Sequence, residues 1–415
     1  MTVFQDNARV FLAFNDVTRL KVLELLRSGE KSAKMLLERV GAGQSTLSHH
    51  MKILVESGIV TARRSGKWTY YSICEGGSRY AYRLLRFLTS ENKPAEVTTT
   101  SAASKEKRRS DIVKPFTIVI DTSCDLPQEY LDKHGIEVMP IPFMLDGVDH
   151  NMGYWQEISD KEFYNAQRNG SVAKTSQINP DAFVKVFTEY AEKGEDTLFI
   201  ILSGTLSATY QSSLIALAEV KESYPDCNIY PVDSIGATAV NSLLTMLTVK
   251  KREEGLSVEE TAAWLEEKKH SVFGVVTVDD LMYLHRGGRL SKLSAVGGSL
   301  LGIKPIINIQ PDGSLALKEK VRGREAALKF LVSHLKRTTT RGVALDTVCI
   351  SHTDCEDDAN KLAEMVKDAV NVRQMEIIMM GPVIGAHVGP GAVTLIYEAN
   401  MTRDEFEEKY YSQAK

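Results

Sequence analysis

The part of the chain that follows residue 115 alternates between short apolar runs and amphipathic stretches, and this alternation limits its fold more than any other feature. Short runs rich in branched side chains are typical of buried strands. Seven such runs occur, at residues 116–121, 197–202, 229–232, 272–276, 305–309, 348–352 and 376–379. Helical periodicity separates them, at residues 180–192, 257–269, 325–335 and 357–369. The pattern predicts an α/β fold of two subdomains with a crevice between them.

A glycine- and proline-rich stretch near the end of the chain, residues 381–391, carries one histidine, His387. Apolar runs at residues 377–380 and 393–397 flank it and predict buried strands on both sides. Four glycines and two prolines between the two strands favour a tight loop. We expect its glycines to let the polar group of a ligand approach the backbone and the His387 ring.

Hydroxyl side chains collect where several of the predicted strands end. The stretches concerned are residues 121–125, 175–180, 203–211 and 233–234. Open α/β sheets bind ligands at the carboxyl ends of their strands, and a helix N-terminus with hydroxyl groups suits a carboxylate or a phosphate. An equally simple interpretation is that these Ser and Thr residues only cap helices.

Other site chemistries have little support in the sequence. Neither of the glycine-rich motifs that bind ATP or dinucleotides is present. A Ser207–His387 esterase is conceivable, but no acidic third member can be identified. The five cysteines are scattered, without a C-x-x-C pair, so we expect no metal site and a cytoplasmic protein. No apolar run is long enough for membrane insertion.

The first ninety residues have a different character. They hold 14 Lys and Arg against 7 Asp and Glu, so this part has a net charge of +7 and the remainder of the chain −11. A basic block joined to an acidic body suggests that one part contacts a polyanion. Short amphipathic helices, a glycine turn at residues 41–43 and a further helix predict an α+β helix-turn-helix domain.

The further helix places Leu47, Met51 and Leu54 on one apolar face. Two strand-like runs, 59–64 and 68–73, then predict a basic hairpin that would serve as a wing. We predict that the second helix and the wing contact bases and phosphates. The DNA-contacting residues predicted are Gln44, Ser45, Thr46, Ser48, His49, Lys52, Arg63, Arg64 and Lys67.

Residues 1–90 resemble the ArsR family of winged-helix repressors, most specifically over residues 45–54. Many members sense metals through cysteines on the helix before the recognition helix, but residues 31–38 contain none, so metal sensing is not expected. The resemblance implies a homodimer, with residues 80–88 as the dimer helix through Leu84, Leu85 and Leu88. Residues 91–113 are polar and lack apolar periodicity, which predicts a flexible linker.

Residues 114–400 resemble the DegV family of fatty-acid-binding proteins. The matching motifs lie at residues 121–126, 175–177, 206–211, 287–291, 303–306 and 385–391. The resemblance implies a DegV-like two-subdomain fold and one acyl chain, of the C16–C18 class, in a buried tunnel. It implies that Thr175, Ser207 and His387, with Ser176 beside them, hold the carboxyl group.

Some members of the family present the bound acid to a separate fatty acid kinase, and surface arginines help them dock. Arg289 and Arg322 occupy the matching neighbourhoods. Ala208, Gly204 and Cys124 depart from the family pattern, which weakens the case for a kinase partner. Residues 401–415 extend past the usual end as a C-terminal tail for which the sequence suggests no role.

The two resemblances together predict a transcriptional regulator, a repressor without catalytic activity of its own. It would bind operator DNA through the winged helix and a fatty acid or acyl phosphate in the second domain. The alternative is an acyl-carrier subunit that presents the fatty acid to a kinase. No cofactor is expected besides the bound acid.

Overall fold

The computed structural model describes residues 3–41, 43–66, 68–89, 115–150, 158–290 and 302–411. The chain divides into two compact units, residues 1–111 with 179–181 and residues 112–178 with 182–415. The predicted linker at 91–113 and Lys67 of the predicted wing lie outside the described residues. Each unit is described by itself.

The N-terminal unit is a small helical domain with a three-stranded sheet. In chain order its elements are α1 Val3–Leu12, α2 Val17–Leu26, β1 Lys31–Ser32, α3 Ala33–Val40, α4 Gln44–Glu56, β2 Val60–Ser65, β3 Trp68–Ile73 and α5 Glu75–Thr89. The strands pair antiparallel in the order β1-β3-β2. Helices α3 and α4 form the helix-turn-helix, and the β2–β3 hairpin is the wing.

Local signals set the ends of these helices. Asp16 caps α2 by accepting the backbone N–H groups of Thr18 and Arg19 at 2.8 and 3.0 Å. Gly41 ends α3 in the left-handed region at φ 71°. Leu47, Met51 and Leu54 of α4 are buried in the core, as their spacing predicts.

The C-terminal unit begins with β4 and ends with α16. In chain order its elements are β4 Thr117–Asp121, α6 Gln128–His134, β5 Ile136–Met139, β6 Phe143–Leu145, β7 Val148–His150, α7 Asp160–Arg168, β8 Ala173–Thr175, α8 Pro180–Lys193, β9 Thr197–Ile201, α9 Thr209–Ser223, β10 Ile229–Asp233, α10 Ala239–Glu253, α11 Val258–Lys268, β11 Val272–Thr277, α12 Met282–Arg286, β12 Ile303–Ile309, β13 Leu315–Arg322, α13 Arg324–Thr338, β14 Leu345–His352, α14 Glu356–Ala369, β15 Val372–Met379, α15 Pro382–Val388, β16 Val393–Glu398 and α16 Arg403–Tyr410.

Two large sheets form this unit, with a small third sheet beside them. The first sheet is parallel throughout, in the order β10-β9-β4-β5. The second has six strands in the order β13-β12-β11-β16-β14-β15, with only β14 and β15 parallel. The small antiparallel sheet β7-β6-β8 ends at Thr175. Helix α10 packs against strands of both large sheets and shares one core with them.

The stretch at residues 381–391 is not the loop that its glycines suggested, because it contains the short helix α15. Pro382 stands in the first turn, where its fixed φ and missing N–H are compatible with a helix. Val383 and Ile384 bury their side chains in the core. A Cβ on Gly385 would lie 2.5 Å from the hydroxyl oxygen of Tyr164. This glycine therefore permits helix packing and does not serve ligand approach.

Residues 401–411 belong to the folded unit. Thr402 and Glu405 form a capping box at the start of α16. Phe406 is buried in the core beside the second sheet, and the Arg403 side chain is also buried. Within the described part of the chain, no helix has the length and apolar character that crossing a bilayer requires.

Candidate functional site

A cavity with mostly apolar walls is lined by strands of the second sheet, by helices α10, α12 and α15, and by the loops that follow β5 and β9. Apolar residues at its wall include Ile141, Leu202, Leu206, Ala237, Val240, Val276, Leu284, Ile309, Leu315, Met380, Val383, Ile384, Val388 and Ile396. The three side chains that the family resemblance predicts to hold the carboxyl group, Thr175, Ser207 and His387, also line it, as does Arg289.

Thr175 and His387 meet in a hydrogen bond of 2.8 Å between Oγ1 and Nε2. Thr175 is the last residue of β8, and His387 lies in the last turn of α15. The two residues are 212 positions apart in the chain. The small sheet and the short helix thus bring together two residues that the sequence placed in one site.

The His387 imidazole is neutral at physiological pH. Burial, and after it the positive charge of Arg289, lower the pKa of His387 to about 3. Its Nδ1 atom has no hydrogen-bond partner among the described residues. A Cβ on Gly287 would clash with this Nδ1 atom and would stand 3.2 Å from Cε1, so Gly287 makes room for the ring.

Ser207 stands just before α9, and its Oγ accepts the backbone N–H of Thr209 at 3.3 Å. The same Oγ lies 2.9 Å from Thr209 Oγ1. In the described residues, Ser207 has no hydrogen bond to His387, whose Nε2 is bonded to Thr175. This is not the arrangement of a nucleophile with its base, because the base must reach the hydroxyl that it deprotonates.

The first hydroxyl-rich loop holds α15 in place. Asp125 Oδ1 accepts the backbone N–H of Gly381 at 2.8 Å, one residue before the helix begins. Tyr164 donates its hydroxyl to the Met380 carbonyl at 2.6 Å, and Gln167 donates to the Gly385 carbonyl at 3.1 Å. Burial raises the pKa of Asp125 to about 8. The sequence did not reveal these supports, because they join residues more than 200 positions apart.

The four hydroxyl-rich stretches therefore have different roles. Two of them contribute side chains to the cavity wall, through Thr175 and Ser207. Asp233, from the fourth stretch, accepts the backbone N–H groups of Gly204 and Ile235 at 3.1 and 2.7 Å. Capping and turn formation, the simpler interpretation, thus account for a part of these residues.

A second, more polar cleft adjoins the first cavity. Thr175, Arg289 and His387 line both spaces. Lys174 and Arg286 add positive charge to the outer cleft. The Arg289 guanidinium donates to the Leu206 carbonyl at 3.0 Å and to the carbonyl of Gly287.

Two of the predicted residues are not part of either wall. Ser176 is exposed, and its backbone N–H bonds the Pro142 carbonyl at 3.0 Å. Arg322 is exposed at the end of β13. In the described residues, no cluster of three or more His, Cys, Asp or Glu side chains is arranged to hold a metal ion.

The predicted DNA-contacting residues form an exposed set in the N-terminal unit. Those that the structure describes are all exposed, namely Gln44, Ser45, Thr46, Ser48, His49, Lys52, Arg63 and Arg64. His50 turns inward instead, and its Nδ1 lies 3.2 Å from Arg19 Nη1. Arg63 is held by Glu30 at 2.7 Å and stacks over the Tyr70 ring at 5.2 Å.

Comparison with known proteins identifies both parts of the chain. Residues 115–400 match the family model described as uncharacterised protein, DegV family. The chain belongs to the DegV family. A second model, bacterial regulatory protein of the arsR family, matches residues 16–62. The chain is therefore a fusion of an arsR-type winged helix with a DegV domain, which confirms both resemblances and both fold classes.

The DegV domain has relatives in several bacteria. A DegV domain-containing protein of Clostridium perfringens is 36% identical over 285 residues, which are 69% of this chain and 98% of the relative. A DegV lipid binding protein from Thermotoga maritima is 30% identical, with a TM-score of 0.62 over 70% of this chain and all of its own. A stearic acid-binding protein from Eubacterium ventriosum is 27% identical, with a TM-score of 0.60 over 68% of this chain and 98% of its own.

Proposed function

We propose that the chain is a fatty-acid-responsive transcriptional regulator. The DegV domain binds one fatty acid or acyl phosphate, and the winged helix binds operator DNA. The observation that carries the proposal is the polar group Thr175–Ser207–His387 in the wall of an apolar cavity. The protein acts in the cytoplasm as a repressor without catalytic activity of its own.

The chemistry of the cavity suits an acid with a long apolar tail. Hydroxyl groups and a neutral imidazole satisfy a carboxyl group without placing a second full charge in a dry site. Each tail methylene contributes about 0.8 kcal/mol on burial, before the cost of immobilising the chain. The lipid and stearic acid ligands of the Thermotoga and Eubacterium relatives support an acid of the C16–C18 class.

The N-terminal unit supports the DNA-binding part of the proposal. The second helix of the helix-turn-helix, α4, presents short polar side chains and Lys52 to solvent, as a recognition helix does. Helix α5 exposes Tyr82, Leu85 and Leu88 by 66, 51 and 53%, while Leu84 is buried inside the unit. We infer that the exposed side chains of α5 pair two chains, so that two α4 helices reach half-sites about 34 Å apart.

The deciding experiment is mass spectrometry of an organic extract of the purified protein. We expect a stoichiometric fatty acid in wild type and its loss from Thr175→Val/Ser207→Ala, because each hydrogen bond to a charged group contributes about 1.5–3 kcal/mol. Ser176→Ala is the matched control, since it removes a neighbouring hydroxyl that does not line the cavity. An empty wild-type extract, with no uptake of added oleate or palmitate, would contradict the proposal.

A second candidate is an acyl-carrier subunit of a fatty acid kinase. The outer cleft favours it, because Lys174, Arg286 and Arg289 place positive charge beside the Thr175–His387 pair. This candidate predicts acyl phosphate when a kinase subunit and ATP are added to the loaded protein. If no acyl phosphate forms in that reaction and the protein still binds its operator, the carrier candidate is excluded and the regulator proposal remains.

A further inference from the structure

The far end of the apolar cavity can be located from strand register. Strand β11 leads at its carboxyl end into α12, which places Gly287 against the His387 ring. Two pairs of the β11–β16 ladder line the cavity, Val276 opposite Thr394 and Gly274 opposite Ile396. Because a strand rises about 3.4 Å per residue, the Gly274 pair lies about 7 Å farther from the polar end than the Val276 pair.

Gly274 has no side chain, and the side chains of two neighbouring residues occupy the space that a Cβ atom would take. A Cβ there would lie 2.6 Å from Ile309 Cδ1 and 3.1 Å from Val240 Cγ2. Ile309 on β12 and Val240 on α10 therefore fill the space over this glycine, and both line the cavity. A glycine inside a strand often marks such a close approach.

The backbone behind this end is tied together by α16. The Arg403 guanidinium, 1% exposed, donates to the carbonyl groups of Val272 at 2.8 and 2.6 Å, of Ile235 at 2.7 Å and of Gln310 at 3.3 Å. Val272 lies two residues before Gly274, and Gln310 follows Ile309. One buried cation thus ties the start of β11 to the end of β12, the strand that carries Ile309.

We propose that Val240 and Ile309, packed over Gly274, form a stop that sets the longest acyl chain the DegV domain accepts. The inference rests on the proposed function, since it assigns the tail of the ligand to this end of the cavity. Side chains that close a pocket discriminate by single methylenes, because an extra carbon must displace packed atoms.

The test loads lipid-free protein with an equimolar mixture of saturated acids from C12 to C22 and measures the bound acids by mass spectrometry. Ile309→Ala removes three carbons from the stop and shifts the preferred acid by about two carbons toward longer chains. Ile303→Ala is the matched control, because Ile303 lies on the same strand and does not line the cavity. We expect Ile303→Ala to bind the same distribution of acyl chain lengths as wild type.

The opposite change tests the same stop. In Gly274→Ala the new Cβ pushes Ile309 toward the cavity, so we expect the bound acids to shift toward shorter chains. The double variant Gly274→Ala/Ile309→Val lacks the clashing Cδ1 atom, so we expect its bound acids to return toward the wild-type chain lengths. If Ile309→Ala fails to fold, the milder Ile309→Val replaces it. The proposed stop would be overturned if wild type takes up fatty acid and the Ile309 variants bind the same distribution of chain lengths. Wild type that takes up no acid would overturn the proposed function instead.

Discussion

His387 shows how a single residue acquires its properties from its neighbours. In water an imidazole is partly protonated near neutral pH, but burial and Arg289 keep this one neutral. Thr175 then holds Nε2, and Gly287 leaves space at Nδ1. A neutral ring can share a proton with a carboxyl group without the desolvation cost of an added ion.

The lowered pKa of His387 predicts a pH dependence of stability. The unfolded chain binds a proton at this histidine near pH 6.5, whereas the folded protein does so only near pH 3. The free energy of unfolding therefore falls as the pH drops from about 6.5 toward about 3. Urea titrations of lipid-free protein measure the free energy of unfolding at about pH 7.5 and at about pH 5. Between these two pH values, His387→Gln should lose less of this free energy than wild type. Equal losses in the two proteins would mean that the folded histidine is protonated.

Gly287→Ala should weaken fatty acid binding at least tenfold, because the new Cβ displaces the imidazole and breaks its bond to Thr175. The backbone tolerates alanine, since Gly287 has φ −70°. Titration with a fluorescent fatty acid measures the change. The control is Gly76→Ala in the N-terminal unit, where a Cβ meets nothing within 4 Å. Unchanged affinity in Gly287→Ala would show that His387 does not need its present position.

At the scale of elements, α4 is expected to contact DNA with its exposed face. Lys52 is exposed, and its Nζ lies 3.7 Å from Oε1 of Glu56 on the same helix. Lys52→Ala should weaken binding to all sequences and reduce the slope of log K against log salt by about 1. Lys21→Ala on α2 removes the same charge from an exposed site outside the predicted set. If both variants change the slope equally, the effect reflects total charge and not contact by α4.

Helix α16 is expected to stabilise the DegV domain through Arg403. Arg403→Met leaves the buried carbonyl groups of Val272 and Ile235 without these donors and should lower the free energy of unfolding by about 3 kcal/mol. Burial lowers the pKa of Arg403 to about 10, so the cation persists at neutral pH. Chemical denaturation measures the loss, and Arg341→Met at an exposed site is the control. Equal stability of the two variants would rule out this role for α16.

At the scale of the whole molecule, the fusion predicts that fatty acid binding and operator binding are coupled. A ligand shifts DNA affinity only if it binds the DNA-competent and incompetent forms unequally, and such couplings are typically about 1–3 kcal/mol. We expect operator affinity to change about 5- to 150-fold between lipid-free and loaded protein. The measurement uses duplexes that the protein itself selects from a random library, titrated across a salt series.

The coupling has an internal control. Thr175→Val/Ser207→Ala should bind the same duplexes with the affinity of lipid-free wild type, whether or not fatty acid is added. Identical affinities of loaded and lipid-free wild type at every salt concentration would end the sensing hypothesis. The DNA-binding and lipid-binding activities would then be independent functions of one chain.

Much of this protein follows from its sequence alone, since local patterns carry the information. The apolar run at residues 272–276 became β11, and the periodic stretch at 357–369 became α14. The spacing of Leu47, Met51 and Leu54 correctly oriented α4. These features depend on side-chain periods of two or 3.6 residues, which a short window of sequence contains.

Other features were decided by tertiary structure. Pro382 and the glycines around His387 suggested a loop, but packing against Tyr164 made a helix there. Ser176 adjoins Thr175 in sequence yet is exposed, because β8 ends at Thr175 and only Thr175 is held against His387. Arg403 gave no sign of burial, since its carbonyl partners come from distant segments. A short window of sequence specifies the elements, whereas the neighbours of each side chain are set only when those elements pack.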